Sequence, residues 1–111
     1  MNINPQAESI RDLNDWFRCT LEGGAVVLTA GVIALGGEAQ ARIIKAVRTF
    51  DDFTPDNDPH GEHDFGSLEV DGERIFFKLD YYDLTRAMHS EDAADASKTE
   101  RVLTIMLASE Y

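Results

Sequence analysis

Cysteine, basic residues and long apolar runs are all scarce in this sequence. Cys19 is the only cysteine, which excludes an internal disulfide and a thiolate metal cluster. The longest weakly polar stretch, residues 23–37, is interrupted by Thr29 and several glycines and is too short and too polar to span a bilayer. The first residues, MNINPQAES, lack the cationic start and apolar stretch of a secretory signal. We therefore expect a cytoplasmic protein that does not bind membranes.

Positive charge is especially scarce in the middle of the chain. The sequence carries 21 acidic and 10 basic side chains, for a formal net charge of −11. Residues 51–83 hold 11 of the acids but only Arg74 and Lys78 as bases, which gives this segment a charge of −9. Such a field repels nucleic-acid phosphates and anionic lipids and attracts cationic surfaces. The composition predicts a protein partner with a basic surface and no direct binding of nucleic acid.

The first half of the chain predicts two helices around one strand. Asn4 followed by Pro5 is typical of a helix start, and apolar residues at helical spacing then continue until Gly23. Residues 25–30, AVVLTA, are rich in β-branched and apolar side chains and bounded by glycine, which predicts a central strand. A second amphipathic helix is predicted from Glu38 to Phe50, with basic residues on its polar face.

The second half contains a hairpin signal between two polar loops, residues 51–66 and 83–96. Asp71-Gly72 fits the type I′ turn that matches the twist of paired strands. If the hairpin turns there, the register puts five apolar residues on one buried face, namely Leu68, Val70, Ile75, Phe77 and Leu79. On the other face the same register places His63 opposite Asp80, so we expect their side chains to lie within hydrogen-bond reach.

A last helix is predicted at the end of the chain. Ser97 with Glu100 three residues later has the spacing of a capping box, and the apolar residues Val102, Leu103, Met106 and Leu107 follow it. The length and the 43% hydrophobic content predict one domain, residues 1–111, with one core. The predicted fold class is α+β, with an antiparallel sheet of three or four strands, helices packed on one face and the order α-β-α-β-β-α.

Four segments carry a resemblance to a known family. They are PDNDPHGEHDFG at residues 55–66, FFKLDYYD at residues 76–83, RVLTIMLASEY at residues 101–111, and VVLTAGV from Val26. The chain resembles the domain-of-unknown-function family 3768 from about Ile10 to Tyr111. The resemblance implies a small bacterial protein, met mostly in alphaproteobacteria and often on mobile elements. It implies no agreed activity, no catalytic residues and no cofactor.

One function hypothesis is a small acidic module that binds a protein. Because small acidic proteins of mobile elements often inhibit host defence nucleases, the partner in this hypothesis is a basic surface that normally holds nucleic acid. The residues predicted to contact that partner are Asp52, Asp56, Asp58, Glu62, Tyr82 and Asp83. A more ordinary interpretation of the same segment is structural, since Asx side chains such as Asn57 and Asp58 commonly bind the backbone of their own loop.

The alternative function hypothesis is a hydrolase. A histidine beside a carboxylate, here His63 with Asp80, is the orienting half of a nucleophilic triad, with Ser67, Thr29 or Cys19 as the candidate nucleophile. The same histidine with several loop carboxylates suggests a divalent cation, but the loop lacks the alternating carboxylates and distal glutamate of a calcium loop. We therefore predict no metal site and no cofactor.

Overall fold

The computed structural model describes residues 5–111, so the predicted helix-start residue Asn4 lies outside the described part. Three helices, four strands and two short 3-10 helices follow one another along the chain. They are α1 Pro5–Thr20, β1 Gly24–Leu28, α2 Ala30–Ile33, α3 Gly37–Thr49, β2 Phe65–Val70, β3 Glu73–Tyr82, a 3-10 helix Ala96–Lys98, β4 Glu100–Leu107 and a 3-10 helix Ala108–Glu110. No helix formed by these residues is long and apolar enough to cross a bilayer.

The four strands form one mixed sheet in the order β1-β4-β3-β2. β2 with β3 and β3 with β4 are antiparallel, whereas β1 runs parallel to β4. The helices pack on one face of the sheet. The core there consists of Phe17 from α1, Val32 from α2, Ile43 and Val47 from α3, Ile75, Phe77 and Leu79 from β3, and Leu103 and Ile105 from β4. The α+β class and the helices on one face are as predicted, but the wholly antiparallel sheet is wrong.

The predicted hairpin is confirmed in turn, register and buried face. Asp71 and Gly72 both have positive φ, 53° and 81°, as the type I′ turn requires. Leu68 pairs with Ile75 and Gly66 pairs with Phe77. Ile75 and Phe77 are fully buried, at 0% exposure. The hairpin could be predicted because its turn and its alternation are both local properties of the sequence.

The predicted last helix is wrong, because residues Glu100–Leu107 form strand β4. Alternate side chains Arg101, Leu103 and Ile105 are buried toward the helices, which is the two-residue period of a strand. β4 lies between β1 and β3, and its second face carries Val102, Thr104 and Met106, of which Met106 is only 4% exposed. The capping box does not form at Ser97 either, whose backbone N–H instead donates to Asp95 Oδ1 at 2.9 Å.

The strand predicted at residues 25–30 is confirmed as β1, Gly24–Leu28, but its predicted end at residue 30 and its central position are wrong. β1 ends at Leu28 and lies at the edge of the sheet, where it pairs with β4 alone. Thr29 and Ala30 begin the short helix α2, which the sequence did not predict. The observed order is therefore α-β-α-α-β-β-β, without the terminal helix.

The Glu110 carboxylate, in the 3-10 helix after β4, binds the residues at the start of α2. One carboxylate oxygen accepts hydrogen bonds from Thr29 Oγ1 at 2.6 Å and from the Leu107 N–H at 2.9 Å, and the other accepts from the Gly31 N–H at 3.0 Å. The hydrogen bond from Thr29 is the main cause of the lowered pKa of the Glu110 carboxyl, and the backbone N–H groups of Leu107 and Gly31 lower it further. The ionised form is thus preferred in the folded protein.

We expect Gly66→Ala to destabilise the fold. A Cβ at Gly66 would overlap the Phe77 ring, whereas a Cβ at Gly37 meets nothing within 4 Å. Because overpacking a core disturbs buried side chains, the substitution should lower the free energy of unfolding by about 1–3 kcal/mol. Urea denaturation measures it, with Gly37→Ala as the control, expected to be neutral or slightly stabilising. Equal midpoints for the two variants would show that the Gly66–Phe77 contact is not close.

We expect Glu110→Gln to change the acid limb of the stability curve. A carboxyl whose folded pKa is lowered contributes stability above its ordinary pKa of 4.5, and that contribution is lost as the pH falls through the lowered folded value. The difference in melting temperature between parent and variant should therefore be largest at neutral pH and shrink as the solution is acidified. Thermal melts from pH 3 to pH 7 measure this. A difference that grows on acidification contradicts the assignment.

Candidate functional site

The long loop between α3 and β2 is held by its own polar side chains. Asn57 Nδ2 donates to the Asp52 carbonyl at 2.8 Å, while Asn57 Oδ1 accepts from the Thr54 N–H at 2.8 Å. The Asp58 N–H donates to the Thr54 carbonyl at 2.8 Å. These contacts agree with the structural interpretation of the Asx residues, in which they fix the backbone of their own loop.

His63 lies where this loop meets α1. Its Nδ1 lies 2.9 Å from Asp15 Oδ1, and its Nε2 lies 3.6 Å from Asp58 Oδ2. The backbone N–H of His63 donates to Asp58 Oδ1 at 3.2 Å. The imidazole also stacks on Phe53, with 3.8 Å between ring centroids and 5° between ring planes. A carboxylate therefore faces each ring nitrogen, and an aromatic ring covers one face.

The predicted contact between His63 and Asp80 is wrong. The strand pairing of the hairpin begins at Phe65, opposite Lys78, and the Asp64 carbonyl still accepts from the Leu79 N–H at 2.8 Å. His63 has a left-handed backbone, with φ of 54°, which turns the chain off the sheet and toward α1. Asp80 contacts Lys78 instead, with 3.2 Å between Oδ2 and Nζ.

Arg18 connects the same cluster to α3. Its side chain is buried, and Nη1 donates to the carbonyls of Val47 at 2.9 Å and Phe50 at 2.8 Å. Nη2 donates to Asp15 Oδ1 at 3.1 Å. Asp15 thus binds both Arg18 and His63, and these contacts tie α1, the end of α3 and the long loop together.

A second buried cluster lies one turn earlier on α1, around Asn14. Asn14 Nδ2 donates to the Glu62 carbonyl at 2.9 Å and to the Tyr81 hydroxyl at 2.8 Å, and the Tyr81 hydroxyl donates to Glu62 Oε1 at 3.0 Å. Arg101 Nε donates to Asn14 Oδ1 at 2.8 Å. Burial raises the pKa of the Tyr81 hydroxyl, so it stays protonated and serves as a donor. Burial likewise raises the pKa of the nearby Asp64 carboxyl.

Some of the residues predicted to bind a partner are exposed, whereas others bind the protein's own loops. Asp52 and Asp56 are exposed. Asp58 is buried at 8% exposure, and Glu62 accepts from Tyr81. Tyr82 is half-buried and stacks on His89, with 5.9 Å between centroids. Asp83 Oδ1 accepts from the Thr85 hydroxyl at 2.7 Å and from two backbone N–H groups, and these bonds lower the pKa of its carboxyl. Asp58, Glu62 and Asp83 therefore stabilise the protein's own loops.

The predicted hydrolytic residues are not brought together. The ring nitrogens of His63 lie 2.9 Å from Asp15 and 3.6 Å from Asp58, and no hydrogen bond among residues 5–111 joins the ring to Ser67, Thr29 or Cys19. Among the candidate nucleophiles, Ser67 is exposed on β2 and Thr29 donates to Glu110. In residues 5–111, no group of three or more His, Cys, Asp or Glu side chains is placed to hold a metal ion. The arrangement is suited to fixing a loop.

Sequence reasoning missed the α1 residues that organise both clusters. Asn14 and Arg18 are buried beside Ile10 and Phe17, on the face of α1 that packs against the sheet. A polar side chain at a core-facing position must find a hydrogen-bonding partner. The helical spacing of Asn14 from Ile10 and Phe17 is the signal in the sequence that marks Asn14 as a core-facing polar residue. The identity of its partners, which are far away in sequence, could not be obtained from the spacing.

We expect Arg18→Met to be strongly destabilising. The substitution removes the donors of the Val47 and Phe50 carbonyls and leaves Asp15 without its cation. Leaving buried carbonyls without a donor lowers the free energy of unfolding by about 1–3 kcal/mol. The control is Arg11→Met, since Arg11 is partly exposed and, among residues 5–111, forms an ion pair with Asp12 alone, and it should change stability by less than about 1 kcal/mol. Chemical denaturation compares them, and similar losses for both variants would refute the assigned role of Arg18.

A family model matches the greater part of this chain. The family described as "Protein of unknown function (DUF3768)" matches residues 28–110, which includes α2, α3, β2, β3, β4 and only the last residue of β1. No curated protein and no solved structure matches the chain. The match covers most of the chain and agrees with the resemblance found in its sequence. The chain belongs to the DUF3768 family of proteins of unknown function.

Proposed function

We propose that this protein is a protein-binding module that uses an acidic loop surface, defined as Asp51, Asp52 and Asp56, to bind a basic surface on another protein. The proposal rests on the exposure and the ion pairing of these three carboxylates. All three residues are exposed, and none of them forms an ion pair with any of residues 5–111. Carboxylates with no internal cation are free to pair with cations from outside.

The backbone under the acidic loop surface supports the proposal. Asn57 binds the Asp52 carbonyl, and Asp58 binds the His63 N–H. Phe53 lies between Asp52 and Thr54 and packs on the ring of His63 and at the edge of Phe50, with centroids 3.8 and 5.0 Å apart. Because the loop is already held in one conformation, binding a partner would require little further ordering of the chain.

The charge of the whole segment supports the same class of partner. Residues 51–83 carry a net charge of −9, which accelerates encounters with a cationic surface and slows them with an anionic one. A protein surface that normally holds nucleic acid is cationic and presents Lys and Arg side chains to phosphates. An array of carboxylates can occupy such a surface, and the protein would then act as an inhibitor of a nucleic-acid-binding complex.

The hydrolase hypothesis receives no comparable support. His63 contacts Asp15 and Asp58, and Asp80 contacts Lys78, so no described contact orients the imidazole toward a nucleophile. Cys19 is exposed and lines the same shallow cavity as Asp15 and His63, but both nitrogens of the ring are already directed at carboxylates. We therefore propose the binding function alone.

We expect reversal of the acidic loop surface to abolish partner binding without unfolding the protein. The variant is Asp51→Lys, Asp52→Lys and Asp56→Lys combined. Immobilised parent and variant are incubated with lysate of the native host, and the captured proteins are identified and then purified. The parent should retain a protein with a basic surface, and the association rate should fall with added salt, since screening acts over roughly 10 Å at 0.1 M salt.

The matched control is Glu38→Lys, Glu73→Lys and Glu91→Lys combined. These residues are exposed and contact no cation among residues 5–111. Either triple reversal changes the net charge from −11 by +6, so both variants carry −5. The control should still bind the purified partner, and the loop variant should not. Equal binding by the two variants would mean that total charge, and not this surface, is responsible. Tight binding of DNA by the parent would refute the proposal.

A further inference from the structure

Arg101 is a buried cation on the central strand. It is 3% exposed and lies on the face of β4 that is covered by α1. Its Nε donates to Asn14 at 2.8 Å, its Nη2 donates to the Ala93 carbonyl, and its guanidinium carbon lies 5.2 Å from the centre of the Tyr81 ring. All of these partners are uncharged.

No carboxylate of residues 5–111 forms an ion pair with Arg101. This distinguishes it from Arg18, the other buried arginine, which contacts Asp15. The negative charge of Glu62 acts on Arg101 from beyond Asn14 and Tyr81, and burial lowers the pKa of the guanidinium. A buried charge without a counter-ion is unfavourable, so an arginine in this state is a ready receptor for an anion.

The third nitrogen of this guanidinium is available. Arg101 Nη1 makes no hydrogen bond within residues 5–111. The only side-chain nitrogen or oxygen of the described residues that is both fully buried and unbonded is Arg18 Nε. Nη1 is unbonded but is not fully buried, so it keeps some exposed surface.

Arg101 lines a cavity of about 270 Å³ between α1 and the segment before β4. Its inner wall includes the buried residues Phe17 and Thr99, and the exposed residues at its mouth are Trp16, Glu22, Gly23 and Ala96. Trp16 is 60% exposed although it is a large apolar side chain. The cavity thus combines one buried cation with aromatic and aliphatic surface, which is the usual composition of a small-molecule site.

We propose that this cavity binds the carboxylate of a small amphipathic molecule. The carboxylate accepts from Arg101, and an aliphatic group about the size of a leucine side chain packs against Leu13, Trp16 and Phe17. A monoanion fits better than a phosphate dianion, because the cavity offers one cation and has Glu22 at its mouth. The carboxylate can belong to a free acid or to the C-terminus of a peptide. This site does not involve the acidic loop surface and does not depend on the function proposed above.

Trp16 provides the measurement, because it is the only tryptophan. The parent protein is titrated with 4-methylpentanoate and, separately, with the uncharged 4-methylpentanamide while tryptophan emission is recorded. The acid should produce a saturable change, and the amide should bind at least about tenfold more weakly, because hydrogen bonds to a charged group are the stronger ones. The acetylated dipeptide Gly-Leu with a free or an amidated C-terminus then distinguishes a peptide terminus from a free acid. Equal affinities for acid and amide overturn the proposal.

Four variants test the location and the cation. Ala96→Phe fills the mouth of the cavity and should abolish the emission change, while the control Ala41→Phe, on the exposed side of α3, should leave it intact. Glu22→Gln removes the anion at the mouth and should strengthen binding of the acid. Arg101→Gln should abolish binding. If circular dichroism shows that Arg101→Gln does not fold, the affinities of Ala96→Phe and Glu22→Gln for the acid test the proposal instead. Full binding by Ala96→Phe overturns the proposal. Competition by inorganic phosphate at the same concentration as the acid overturns the assignment to carboxylates.

Discussion

The contacts of Arg18 hold together the parts of the molecule that the sheet alone would not. The guanidinium binds three carbonyls at the end of α3 and the carboxylate of Asp15 on α1, and it lies 5.3 Å from the centre of the Phe53 ring at the start of the long loop. Asp15 then extends the same network to His63 at the end of that loop. A charged group is expensive to bury unless it is paired and hydrogen-bonded. The conformations of α1, α3 and the loop are therefore coupled.

This coupling divides the acidic residues of the loop into two kinds. Asp58 and Glu62 are directed inward, where Asp58 binds the backbone and ring of His63 and Glu62 accepts from the Tyr81 hydroxyl. Asp51, Asp52 and Asp56 are directed outward and contact no cation of the described residues. The inward residues hold the backbone that carries the outward ones. A chain with a net charge of −11 thus concentrates unpaired carboxylates on a fixed segment, which is the physical basis of the proposed binding function.

The parts of the fold that could be predicted are those determined by neighbouring residues. The turn at Asp71-Gly72 and the alternation through Ile75 and Phe77 specify the hairpin locally. Strand β4 could not be distinguished from a helix, because Ile105, Met106 and Leu107 are apolar on consecutive positions and suit either a helix or a strand buried on both faces.

The candidate site was predicted less well, because its contacts are between distant residues. Extending the hairpin register beyond Phe65 places His63 opposite Asp80, but the positive φ of His63 takes it away from the sheet. Its actual partner, Asp15, is 48 positions earlier in the chain. No pattern in one sequence relates two residues at such a separation. The distribution of charge in residues 51–83 was visible in the sequence, but which carboxylates face outward depends on those distant contacts.

Amide hydrogen exchange of residues 51–64 measures whether the contacts of Arg18, Asp15 and His63 hold the loop in one conformation in solution. The N–H groups of Thr54, Asp58 and His63 donate to acceptors within the loop. They should exchange far more slowly than in an unstructured chain, and in Asp15→Ala, which loses the anchor of His63 on α1, the protection of His63 should fall while that of β3 is kept. Exchange of these three amides at the rate of an unstructured peptide in the parent protein would contradict the account.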